Sequence, residues 1–259
     1  MTVPHTKIAL AQMRVIGGDR DTNLARALHW IDHAAKAGAN VIILPECMDL
    51  GWTHSSSINL AEPVPDGTTC QVLIDAANEY KIHICAGITE RSDGDIHNAA
   101  VLIAPSGEIL SSHRKINELD FAKEFYITGD KLHVAETEFG RIGLMICADG
   151  FAKGQALSRS LGMMGADMIF SPCAWAVTAN HNQAKEPYGD LWRDNYIPVA
   201  KEYSTWIFGV SNVGPINEGP WEGRKCIGCS LVIDPEGNEV LQGPYGENAE
   251  ELMLVTIPR

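Results

Sequence analysis

The sequence lacks the features that would direct it to a membrane, a nucleic acid or a phosphate-bearing cofactor. No apolar run approaches the ~20 residues needed to span a bilayer. The opening MTVPHTKIALAQM has no basic-then-apolar pattern of a secretory signal, so a cytoplasmic location is expected. Basic residues are scarce: 20 Lys and Arg against 33 Asp and Glu give a formal net charge of -13. That balance argues against nucleic acid or an anionic membrane as the main partner, since both reward clustered Lys and Arg. Gly-rich phosphate fingerprints are absent, and the nine histidines form no H-x-x-x-H or comparable cluster. No cofactor and no metal are therefore expected. Cysteine is present seven times, an odd count, and without an export signal these thiols are expected to be reduced. Linkers, low-complexity stretches, charge blocks and short-period repeats are also missing. With 259 residues and a 45% hydrophobic fraction, the chain can bury a sizeable core. One α/β domain over residues 1–259 is expected.

What is present alternates between strand and helix patterns. Residues 7–15 read as a first strand. Asp21 or Thr22 offers an N-cap to a helix carrying Leu24, Ala27, Leu28, Ile31, Ala34 and Ala35, closed at Gly38. The run ANVIILPE reads as a buried strand ending at Glu46. Residues 70–80 read as a helix, HICAGITE as a strand, and NAAVLIAPSGEILSSHRK as a hairpin around Pro105, Ser106 and Gly107. The second half repeats this grammar. IGLMICA is a strand, 155–164 a helix, ADMIFSP a strand, and 191–203 a helix in which Pro198 marks an irregularity or boundary. WIFGVSNVG, GCSLVIDPEGNEVL and ELMLVTI supply the closing strands.

Three reactive residues sit at or just past strand ends, where α/β sheets gather their chemistry. Glu46 ends VIILPE, Cys147 ends GLMIC, and Lys115 follows the hairpin's second strand. Singly, each has a bland reading: a buried thiol, a solvated cap and a surface charge. Together they form a complete set for acyl transfer. A desolvated carboxylate can take a thiol proton, a thiolate can attack a carbonyl or nitrile carbon, and an ammonium can hold the resulting oxyanion.

The ordered set ILPE, HRKINEL, GLMICAD, GADMIFSPCAW, WIFGVSNVG and GCSLVIDPEGNEV resembles the nitrilase or carbon-nitrogen hydrolase superfamily over nearly the whole chain. That resemblance implies a four-layer α-β-β-α sandwich that dimerises or forms higher homo-oligomers. It also implies Glu46 as general base, Cys147 as nucleophile and Lys115 as oxyanion partner, helped by the Ala148 backbone N–H. The family keeps a second glutamate between the lysine and the Gly129-Asp130 turn, and within LDFAKEFYITGD this is assigned to Glu124, with Glu118 the alternative. The segment after Cys147, Ala-Asp-Gly-Phe-Ala-Lys-Gly, departs from the Arg-Phe-Pro-Glu of many members and is closer to the aliphatic amidase branch. Trp52, Thr53 and His54 follow the Glu46 strand and Trp175 follows FSPCAW, so Trp52 and Trp175 are expected to line the substrate pocket, with core packing as the alternative.

The implied activity is cofactor-free cleavage of a small, non-peptide C–N bond. A primary amide is the leading substrate, an N-carbamoyl compound second and a nitrile third; a catalytically silent binding protein is the competing class. A papain-like peptidase would need downstream His and Asn partners, and His181 is the only histidine after Cys147. Cys226-x-x-Cys229 has half a zinc spacing but lies in the strand-like KCIGCSLV without a second pair. His113 is read as structural.

Overall fold

The computed structural model describes residues 5–258. The elements in order are β1 (His5–Gln12), α1 (Arg20–Lys36), β2 (Val41–Ile43), α2 (Ser57–Leu60), α3 (Thr68–Tyr80), β3 (His83–Ser92), β4 (Asp95–Ile103) and β5 (Ile109–Arg114). The second half contains β6 (Val134–Thr137), β7 (Gly140–Leu144), α4 (Ala156–Met163), β8 (Met168–Cys173), β9 (Ala176–Val177), α5 (Asp190–Tyr203) and β10 (Trp206–Ser211). It closes with β11 (Val213–Pro215), β12 (Lys225–Ile227), β13 (Leu231–Ile233), β14 (Glu239–Gln242) and β15 (Glu251–Pro258).

Two six-stranded mixed sheets form, ordered β15-β1-β2-β3-β4-β5 and β14-β13-β10-β8-β7-β6. Each has three parallel strands at its centre and antiparallel strands outside. Strand alternation assigns every second residue to one face, and here both faces are apolar. Ile8, Leu10, Val41, Ile43 and Leu102 meet Leu144, Met168, Phe170, Phe208 and Val232 between the sheets. Their neighbours Ala9, Ile42, Ile84 and Val101 turn outward under α1 and α3, while Ile169, Ile207, Leu231 and Ile233 turn outward under α4 and α5. The layers therefore run α-β-β-α, as the resemblance implies. Among the described residues no helix is long and apolar enough to cross a membrane.

Local differences from the sequence reading have physical causes. The cap of α1 is Asp19, whose side chain accepts from Thr22 N at 3.3 Å, ahead of the expected Asp21 or Thr22. Gly38 ends the helix with φ +75°, as expected for a residue without Cβ. Pro198 does not stop α5, because Trp192, Tyr196, Val199 and Ala200 bury that helix against the second sheet. KCIGCSLV is not one strand: Gly228 (φ +67°) and Cys229 (φ +60°) break it into β12 and β13, and β12 joins a small sheet with β9 and β11.

Candidate active site

Parallel central strands bring the expected residues to one end of the sandwich. β5 is antiparallel to β4, which is antiparallel to β3, so β5 runs parallel to β3 and its carboxyl end joins those of β2 and β3. Glu46 follows β2, Lys115 follows β5 and Cys147 follows β7 across the inter-sheet gap. Glu46 N donates to Cys173 O at 3.3 Å, linking the two sheets at this point. The turn carrying Glu46 lies against β3 through Gly87 N to Pro45 O at 3.1 Å and Met48 N to Gly87 O at 2.9 Å. A Cβ on Gly87 would come within 2.5 Å of Glu46 Cα, so this approach requires glycine. Asp49 secures the far side of the turn by accepting from the Thr89 N–H, the Thr89 hydroxyl and Leu50 N.

Lys115 Nζ donates to Glu46 Oε1 at 2.7 Å, and both side chains are 1% exposed. Asn98 Nδ2 donates to the same oxygen at 2.7 Å and fixes its orientation. Burial alone would lower the Lys115 pKa, but the carboxylates of Glu46 and Glu118 hold it well above the usual lysine value, so Lys115 is a permanent ammonium.

Of the two glutamates considered in this loop, the structure brings Glu118 and not the expected Glu124 to Lys115. Glu124 lies exposed on a single helical turn, Asp120–Glu124, whereas Glu118 is buried with Oε2 3.4 Å from Lys115 Nζ. The turn of chain after β5 folds Glu118 back onto Lys115 three residues earlier and carries Glu124 out to solvent. Burial, with Glu46 and Asp149 nearby, raises the Glu118 pKa to about 7 despite the opposing pull of Lys115.

Cys147 is the one cysteine of seven that is only half-buried; the other six are fully buried free thiols. Its φ of +43° lies in the left-handed region, uncommon for a residue with a Cβ and typical of functional turns. The ladder of β7 stops at Leu144, three residues before the expected end, and the chain turns so that Cys147 opens the helical turn Cys147–Phe151. Burial pushes the Cys147 thiol up, reinforced by a hydrogen bond with Cys173 and by Glu46, while Lys115 pulls it down.

Asp149, which the sequence reading passed over, clamps the cysteine turn to the lysine segment. It is fully buried and accepts from Ile146 N at 2.9 Å, Asn117 N at 2.7 Å, Ile116 N at 3.1 Å and His113 Nε2 at 2.8 Å. Burial would raise its pKa, but His113 and the backbone donors overcome that and hold it below the usual carboxylate value. His113 is thus structural, as read. Asn117 Nδ2 adds a bond to Ala148 O at 2.6 Å. Nothing in the sequence pairs Asn98 with Glu46 or Asp149 with His113, Ile116 and Asn117, because these partners lie more than 30 residues away along the chain.

Glu46, Lys115, Cys147, Ala148, Trp52 and Trp175 all line one cavity of about 220 Å³. Lys115 Nζ stands 5.6 Å from the Trp52 ring centroid, and Trp175 stacks on Trp192 at 4.5 Å. Cys226 and Cys229 have no group of three or more possible metal ligands around them among the described residues.

Two layered sheets with a carboxylate, an ammonium and a thiol at one end are the arrangement that the sequence resemblance implies, and comparison with known proteins identifies the family. The chain belongs to the carbon-nitrogen hydrolase family, whose pattern matches residues 7–259. It is 32% identical to a nitrilase of Pyrococcus abyssi over 97% of this chain and 89% of that protein. It is 27% identical to an (R)-stereoselective amidase of a Pseudomonas species over 93% and 82% of the two chains. Among solved structures, Saccharomyces cerevisiae Nit3 superposes with a TM-score of 0.82 at 24% identity, covering 98% of this chain and 90% of that one.

Proposed function

We infer that the protein is an amidase of this family, working through a thioester at Cys147. The observation that carries the reading is the buried Lys115–Glu46 pair, 2.7 Å apart, at the cavity that Cys147 enters from the opposite sheet. Burial favours the neutral thiol, so attack and deprotonation are coupled. Glu46 accepts the Sγ proton as sulfur bonds to the carbonyl carbon. The oxyanion that forms is held by Lys115 and the Ala148 N–H. Glu46 then returns the proton to the departing nitrogen, ammonia leaves, and the thioester remains. A water deprotonated by Glu46 attacks the thioester, and the acid and free thiol are released. Glu118 keeps the ammonium of Lys115 directed toward the reacting centre. The same chemistry serves an N-carbamoyl compound. A nitrile is the second reading, favoured by the Pyrococcus relative that bears that name.

Ammonia release from short amides, ureido acids, ureido amines and nitriles tests the reading. Amides should lead, and Cys147→Ala should abolish turnover while costing about 1 kcal/mol of stability or less. Substantial turnover by Cys147→Ala would sink the thioester route.

A further inference from the structure

The charges of the cavity are all committed at its floor. Lys115 is its one cationic lining residue, and it is already held by Glu46 and Glu118. Arg193 is taken by Glu239 and Asp190, and the Arg224 guanidinium lies on the Trp221 ring at 4.2 Å; neither lines the cavity. Above the floor the wall is aromatic. Trp175 and Trp192 stack at 4.5 Å, while Trp52 and Trp221 meet edge to face at 5.0 Å. The unpaired buried donors of this wall are uncharged, the indole N–H groups of Trp52 and Trp175.

A carboxylate entering here would lose its water, find no free cation and sit near two glutamates, a costly combination. An ammonium would likewise lose its water with no free carboxylate to receive it, because the one lining the cavity, Glu46, is held by Lys115 and Asn98. An uncharged apolar group instead gains burial and offset stacking on indole faces. The volume fits as well: an apolar cavity of ~150 Å³ accepts benzene, so about 220 Å³ holds one six-membered ring with a carboxamide.

We propose that the substrate class is the uncharged amide bearing an apolar or aromatic substituent, and that the Trp175–Trp192 and Trp52–Trp221 walls exclude substrates carrying a carboxylate. This rests on the amide reading above and deepens it. Trp221 is half-buried, and Leu191, 53% exposed, lines the same cavity, so both are accessible specificity positions.

The test compares kcat/KM for phenylacetamide, propionamide, succinamate and glycinamide, together with calorimetric affinity of phenylacetamide and succinamate for Cys147→Ala. Phenylacetamide and propionamide should each exceed succinamate by about 100-fold or more, equivalent to about 2.7 kcal/mol, and propionamide should exceed glycinamide. Phenylacetamide should also bind Cys147→Ala more tightly than succinamate. Trp221→Ala should lower kcat/KM for phenylacetamide more than for propionamide. Leu191→Arg, which adds a cation at the cavity, should raise kcat/KM for succinamate about tenfold. Succinamate or glycinamide matching the neutral amides overturns the proposal, as does succinamate turnover that depends on Arg224. Selective binding of phenylacetamide without turnover of any amide would instead overturn the amidase reading and leave the selectivity standing.

Discussion

Replacing Asp149 by Asn tests whether one buried carboxylate holds the site together. The change is isosteric, so no cavity opens. One carboxylate oxygen becomes an NH2 group facing two existing donors. If the amide nitrogen takes the Oδ2 position, His113 can switch tautomer and accept from it, but the Ile146 N–H, 2.9 Å away, loses its acceptor. If it takes the Oδ1 position, the Ile116 and Asn117 N–H groups are orphaned together. A buried unpaired N–H costs roughly 1–3 kcal/mol, and the remaining bonds lose their charge assistance, so a loss of about 3 kcal/mol is expected. For a chain of this size that corresponds to a fall in Tm of roughly 6–12 °C. Turnover should fall as well, on the order of 100-fold, because the clamp sets the Lys115 segment against the Cys147 turn and small misplacements are costly. The pH dependence adds an independent check. The folded-state pKa of Asp149 is depressed. Its contribution is therefore present above the unfolded value of about 4 and is lost as pH falls through the folded value. The stability gap between wild type and variant should close in acid. Urea unfolding at several pH values and ammonia release measure both effects. A variant within 0.5 kcal/mol of wild type, by rough mutational standards, with unchanged turnover would refute the clamp.

Other expectations concern the pieces around it. Lys115→Ala should lower kcat by about 100- to 1000-fold and destabilise the fold, since it strands the buried carboxylates of Glu46 and Glu118; an effect confined to KM would contradict its role. Glu118→Gln should reduce turnover about tenfold, or roughly 1.4 kcal/mol of barrier, whereas Glu124→Gln should leave it unchanged, and the reverse pattern would restore Glu124 to the site. Because the folded Glu118 pKa is raised to about 7, wild-type stability should decline as pH rises from the unfolded value near 4.3 toward that figure, a slope that Glu118→Gln should flatten in unfolding titrations. Gly87→Ala places a Cβ within 2.5 Å of Glu46 Cα and should cost roughly 1–3 kcal/mol with loss of turnover, readable by thermal melts and ammonia release.

The sequence by itself showed an α/β chain, and its resemblance to the carbon-nitrogen hydrolases implied the layered sandwich and singled out Glu46, Lys115 and Cys147 as the candidate reacting side chains. Strand ends are legible from short apolar runs, and Glu46, Lys115 and Cys147 each sit at or just past one. In β1 the alternation Ile8-Ala9-Leu10-Ala11 sends Ile8 and Leu10 toward the other sheet and Ala9 and Ala11 toward the helices, so both faces of the strand are covered. What tertiary structure decided were the choices between chemically equivalent candidates. Glu118 and Glu124 are both glutamates in one loop; only the fold of that loop buries the first against Lys115 and leaves the second in solvent. Asn98 and Asp149 acquire their importance from donors and acceptors brought in by strand pairing and by packing of the two sheets. The left-handed turn at Cys147 follows from the need to leave the β7 ladder while keeping Ile146 and Asp149 hydrogen-bonded. Local sequence encodes which residues can do chemistry. The long-range contacts, paid for by burial of the two apolar faces, decide which of them meet.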